Sequence, residues 1–181
     1  MPNQNVVKIN LNNSYYRVNI NDVNKRNIYR DEEDYRSFFS LFEKYLSESN
    51  SVEILAYCLM SNHFDLLLCQ INEGSVAKFM HNIVIAYNEY YYNKYEVEDL
   101  LSDGDLKISK VSPKGLLKVS RYIHTNPDDW INYPYSSIRA YLYDDVPNWL
   151  NKTSIAELYG STIKYLDFLQ NSQETCKKPV I

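Results

Sequence analysis

The stretch Ala56-Tyr57-Cys58-Leu59-Met60-Ser61-Asn62-His63-Phe64-Asp65-Leu66-Leu67-Leu68 is an apolar run that breaks at three polar residues and resumes. Its β-compatible flanks, with turn chemistry at Ser61-Asn62, predict two short strands meeting at a tight turn. Along the second strand side chains alternate between faces, so His63 and Asp65 project together while Phe64 points the other way. Two side chains able to ligate a metal therefore share one face. The plainer reading of the same residues is a strand end carrying two solvated polar groups, and only other segments can choose between them.

Outward from this hairpin, residues 6–20 read as strand-rich, with Tyr16, Val18 and Ile20 alternating toward one face as a first sheet strand. Asp31 to Ser47 opens with acids and places Phe38, Leu41, Phe42, Tyr45 and Leu46 at spacings of three and four, which predicts an amphipathic helix. Ser75 to Tyr95 repeats that pattern through Val76, Phe79, Met80, Ile83, Val84, Tyr87 and Tyr91. Its tyrosine-rich end fits packing against the sheet, or stacking on nucleic-acid bases. Residues 96–105 read as a loop and Leu106 to Val111 as a short strand.

Pro113 suits the start of a helix running through Asn126 and stopped by Pro127. Leu116, Val119 and Ile123 form its expected buried edge, and Lys118, Tyr122 and Asn126, spaced by four, line another face. Beyond Pro127 the chain reads as irregular. Ser154-Ile155-Ala156-Glu157 has capping-box spacing, and Gly160 separates helical patterns at 153–159 and 161–171. Such a pair suits packing on the main domain better than a helix-turn-helix reader. The order strand, helix, strand, strand, helix, strand predicts an α+β fold, a ferredoxin-like antiparallel sheet with packed helices and a C-terminal helical pair. The expected division is a main domain over 1–145 and a helical extension and tail over 146–181.

A chain of 181 residues can bury a real core, and no apolar run approaches the roughly 20 residues of a membrane span. With no signal-like start at Met1-Pro2-Asn3, a cytoplasmic protein without membrane partners is expected. Three cysteines without CxxC spacing indicate neither a disulfide framework nor a zinc site. The formal net charge of −4 argues against a broad nonspecific nucleic-acid surface. The average conceals a polarity, because five acids and no base lie between Glu96 and Asp105, and five bases and no acid between Lys107 and Arg121. The basic strip Lys107, Lys110, Lys114, Lys118 and Arg121 suits a single-stranded backbone, or is a solvated charged face.

Together these segments resemble the REP-associated tyrosine transposases of the single-tyrosine HUH family. Asp31-Glu32-Glu33-Asp34-Tyr35 is similar to the family's acidic helix start, and Ala56 to Leu68 to its a-Y-C-L-M-x-N-H-x-H-L-L-L strand pair. Tyr122-Ile123-His124-Thr125-Asn126-Pro127 matches Y-I-H-x-N-P, and Pro134-Tyr135-Ser136-Ser137 loosely matches a later W-S-S-Y region. The resemblance implies a divalent metal, Mg²⁺ or Mn²⁺, on His63 with Asp65 at the second histidine position and Asn126 as a further ligand. It implies Tyr122 as the nucleophile that forms a 5′-phosphotyrosine and frees a 3′-hydroxyl, on single-stranded or hairpin DNA, in DNA transposition. A homodimer is also compatible with the family.

Two departures weaken the match. Asp65 stands where the family has histidine; oxygen-loving Mg²⁺ and Mn²⁺ accept a His/Asp pair, but the added carboxylate lowers the positive charge offered to a phosphate. Asn21-Asp22 and Gly104-Asp105-Leu106 stand where the family carries arginines, which removes two expected phosphate contacts. Three readings stay open: an active transposase, a descendant that binds DNA but has lost cleavage, and an acidic protein-interaction domain using residues 96–105.

Overall fold

The computed structural model describes residues 14–20 and 26–171, so the segments 6–13 and Asn21-Asp22 lie outside the described residues. Strand β1 (Ser14–Ile20) leads to helix α1 (Glu32–Glu48), the hairpin β2 (Val52–Met60) and β3 (His63–Gln70), helix α2 (Ser75–Tyr95) and strand β4 (Leu106–Val111). The four strands form one antiparallel sheet in the order β2-β3-β1-β4. This is the ferredoxin-like α+β sheet expected from the order of elements.

Burial follows the alternation of each strand. Phe64, Leu66, Leu68, Val18 and Ile20 are buried on one sheet face, where Phe38 of α1 meets Phe64 at 5.4 Å between ring centroids and Tyr87 of α2 at 5.0 Å. Helix α1 is started by a capping box. Asp31 accepts from the Asp34 amide, and the Asp34 carboxylate accepts from the Asp31 amide, satisfying orphan donors of the first turn. The tyrosine-rich end of α2 resolves as packing for most of its rings. Tyr87 and Tyr91 are buried and donate to the carbonyls of Ile28 and Asn27, while Tyr92 is exposed.

Helix α3 (Leu116–His124) lies on the opposite sheet face, against β2 and β3, and is preceded by a 3-10 turn at Pro113–Gly115. It ends two residues before Asn126, shorter than expected, since a residue before proline is pushed out of the helical region and Pro127 follows. Its buried edge is Leu116, Ser120, Ile123 and His124, with Val119 only half-buried. Three further helices complete this layer: α4 (Ile138–Leu142), α5 (Thr153–Tyr159) and α6 (Thr162–Gln170). Helix α4 falls in the stretch expected to be irregular. The capping box at Ser154 does not form, because the helix begins at Thr153 and places Ser154 inside its first turn. Gly160 separates α5 from α6 with φ of +75°, a backbone that a β-carbon would strain. The helical pair packs on the main body, with Ile155, Tyr165 and Leu169 in the same buried cluster as the sheet residues.

The chain after α3 also seals one edge of the sheet. Leu59 N–H donates to the Tyr135 carbonyl, Ser137 N–H to the Tyr57 carbonyl, and Asn151 N–H to the Ile54 carbonyl, so 135–137 and 150–151 run along the outer side of β2. That accounts for Ser136 and Ser137, which are buried and bonded to the backbone of Tyr57. They are structural residues.

Candidate active site

The hairpin places its two polar residues as the alternation requires. Strand register sets Asp65 opposite Asn19 of β1 and Cys58 of β2, and His63 opposite Met60, all on the face that α3 covers. Just past the end of α3, the Asn126 Nδ2 donates to His63 Nε2 at 2.9 Å and lies 3.5 Å from Asp65 Oδ2. Asn62 Oδ1 is 2.8 Å from His63 Nδ1, which places the imidazole proton there and leaves the Nε2 lone pair facing the site. Burial lowers the His63 pKa, against the opposing pull of Asp65 and with a smaller push from the Arg17 charge, which favours the neutral ring. His63, Asp65 and Asn126 are thus brought together.

Arg17 of β1, which sequence reasoning did not single out, completes the constellation. Its Nε lies 2.8 Å and its Nη2 2.6 Å from Asp65 Oδ1. Its guanidinium carbon sits 4.2 Å from the centroid of the Tyr122 ring. Tyr122 itself is 49% exposed, projecting from α3 above the arginine. Burial raises the Asp65 pKa, opposed by the Arg17 charge and hydrogen bond, so the carboxylate depends on this partner for its ionised form. The extra negative charge expected of the His-x-Asp pattern is therefore balanced within the site. A sequence signal for Arg17 did exist: if Tyr16, Val18 and Ile20 face one helix layer, then Arg17 must face the other with the hairpin's polar pair.

The donor set suits a hard divalent cation in kind, with one imidazole nitrogen, one carboxylate oxygen and an amide oxygen once the Asn126 side chain is rotated. As arranged, the Asn126 amide hydrogens occupy the space between Nε2 and Oδ2, and Oδ1 is engaged by Arg17. Among the described residues, no three His, Cys, Asp or Glu side chains converge, so any metal here depends on the Asn126 amide.

The basic strip does not form one track. Lys107 pairs across β4 with Asn19, and Asn19 with Asp65, which puts Lys107 in the site's own row on the site face. Lys110 pairs with Tyr16 and so faces the opposite side of the sheet. Lys114 and Lys118 are exposed, with Lys118 one turn before Tyr122, whereas Arg121 lies 4.5 Å over the Phe168 ring. The acidic segment lies away from this face. Asn88 of α2 donates to the Leu101 carbonyl and accepts from its amide, and His81 is 2.6 Å from Asp103, pinning the segment to α2.

Among solved structures, the chain is similar to a REP-associated tyrosine transposase bound to a REP hairpin. The identity is 14% and the TM-score 0.54, over 77% of this chain and 84% of that one. The fold is shared with a tyrosine transposase. No family model and no curated protein matches the chain. No helix of the described residues is long and apolar enough to cross a membrane.

Proposed function

We propose that this protein binds single-stranded or hairpin DNA and cleaves and rejoins it through Tyr122, as a transposase-like enzyme. The observation that carries the reading is the exposed Tyr122, whose ring lies against Arg17, the partner of Asp65 in the cluster with His63 and Asn126. Tyr92 and Tyr143 are as exposed, so it is the contact with Arg17 beside Asp65 that singles Tyr122 out. In the proposed step the Tyr122 oxygen attacks the phosphorus and the bond to the 3′ oxygen breaks. A 5′-phosphotyrosine and a 3′-hydroxyl result, the phenol proton being balanced by the proton taken up at the 3′ oxygen. Attack by the freed hydroxyl reverses the step and rejoins the strand. Mg²⁺ or Mn²⁺, held by His63, Asp65 and Asn126, would supply Lewis-acid polarisation of a phosphate oxygen. Lys107 and Lys118 lie on the approach to this site and suit the DNA backbone.

The test is cleavage of a labelled single-stranded hairpin with Mn²⁺ or Mg²⁺, comparing the parent with Tyr122→Phe. A covalent protein–DNA adduct in the parent, absent from the variant, is the expected result. A second reading is favoured by the engagement of Asp65 with Arg17 and by the amide hydrogens of Asn126 on His63: a descendant that binds DNA without cutting it. Hairpin binding with no adduct under either metal would select it.

A further inference from the structure

Arg17 is built differently from an arginine that merely neutralises a buried acid. Asp65 is 2% exposed, but the Arg17 side chain keeps 28% of its surface. Its Nε and Nη2 are taken by one carboxylate oxygen, and its central carbon sits over the Tyr122 ring. These contacts hold the guanidinium between Asp65 and the Tyr122 ring while using neither Nη1 nor the edge turned away from Asp65. A planar, weakly hydrated fork held in this way matches two phosphate oxygens. Lys107, in the same row across the sheet, adds a second cation on this face.

We propose that Arg17 holds the phosphate presented to Tyr122, through the guanidinium edge turned away from Asp65, and that it does so with no divalent metal bound. Asp65 then aims the guanidinium, in addition to any role as a ligand, and its charge limits how strongly the site attracts phosphate. This assignment rests on the reading that the protein handles DNA. It makes Arg17 a residue that touches substrate, and it separates binding from whatever cleavage a metal supports.

The experiment is fluorescence anisotropy of a labelled single-stranded hairpin oligonucleotide in EDTA, with the parent, Arg17→Ala, Asp65→Asn and the double variant Arg17→Ala/Asp65→Asn. The parent is expected to bind without metal, and Arg17→Ala to bind about tenfold more weakly, the scale of one lost charge-assisted contact. Its salt dependence should flatten by about 0.7 in logarithmic slope, one single-strand phosphate contact. Asp65→Asn should bind several-fold more tightly. The double variant carries no unpaired buried charge, which keeps the test sound if Arg17→Ala fails to fold, and it should stay weak. Recovery of parental affinity in the double variant would reduce Arg17 to a charge partner of Asp65 and overturn the proposal. Parental binding that is lost in EDTA and restored by Mn²⁺ would also overturn it, while leaving the DNA reading intact. Failure of the parent to bind any hairpin, with or without metal, would remove the DNA reading and this inference with it.

Discussion

Asp34 and Asp65 are both buried carboxylates, 0% and 2% exposed, and they are treated in opposite ways. Burial acts to raise the Asp34 pKa, but the Arg30 amide, Lys94, Tyr90 and Tyr95 all donate to it, and together they hold it below the ordinary carboxylate value. Asp65 has the single partner Arg17 and a long approach from Asn126, and its pKa is raised. The first acid is over-satisfied and joins α1 to α2. The second is left short of partners beside a partly exposed arginine that lies against the Tyr122 ring. A buried charge whose partners come wholly from the fold serves the fold, whereas one left partly unmet marks a place where another molecule can contribute.

The largest effect expected from this contrast is on stability. Asp34→Asn removes the charge that pairs with Lys94 and turns one of the two accepting oxygens into an NH2 that faces donors, and should cost about 3 kcal/mol in chemical denaturation, with the folded fraction binding hairpin DNA as the parent does. Asp65→Asn should unfold within about 1 kcal/mol of the parent, since burial already disfavours the charge on Asp65 and Arg17 is partly exposed to water. Equal losses in the two variants would break the comparison.

The histidines sharpen it. His63 faces the site, while His124 is fully buried between the Tyr165 hydroxyl and Ser137 Oγ, at 2.7 Å from each, and burial lowers its pKa to about 3. The unfolded chain takes up this proton near pH 6.5 and the folded chain only near 3, so stability is lost as pH falls through that window. His124 should contribute about 1.4 kcal/mol per pH unit to this slope below pH 6.5, and His63, whose pKa burial also lowers, adds in the same direction, read as the pH dependence of the denaturation midpoint. His124→Gln should flatten it, and a slope unchanged in that variant would count against the buried neutral imidazole.

The smallest effect separates two lysines that the sequence places in one strip. Lys118→Ala should weaken hairpin binding a few-fold, and Lys110→Ala should leave it unaltered, because strand pairing turns Lys110 to the other face. Equal losses would mean that DNA wraps the β4 edge.

The same pairing explains what was legible beforehand. The helical periodicities of α1 and α2, the Ser61-Asn62 turn and the Gly160 break are local patterns, and the structure places each where the sequence does. The row Lys118, Tyr122, Asn126 was readable from spacing alone, although Pro127 ends the helix before its last member. Arg17 was not singled out, because its meeting with Asp65 depends on the register of β1 against β3, which arises from residues 48 positions apart. Helix α4 is five residues long and follows two prolines' worth of irregular chain, too short for a period to show. The splitting of the basic strip was hidden for the same reason as Arg17: a run of charge in sequence says nothing about which side of a sheet each member faces.

The sealing of β2 by residues 135–137 and 150–151 also bears on how copies of the chain can meet. One margin of the sheet is closed by the protein's own backbone, and among the described residues the outer margin of β4 is the open one. That strand carries Lys107 on one face and Lys110 on the other, and charged lysines on an edge strand disfavour pairing with a second edge. Growth of the sheet from molecule to molecule is thus discouraged at both margins, by occupancy at one and by charge at the other, and a second copy is left to associate through its helices and side chains.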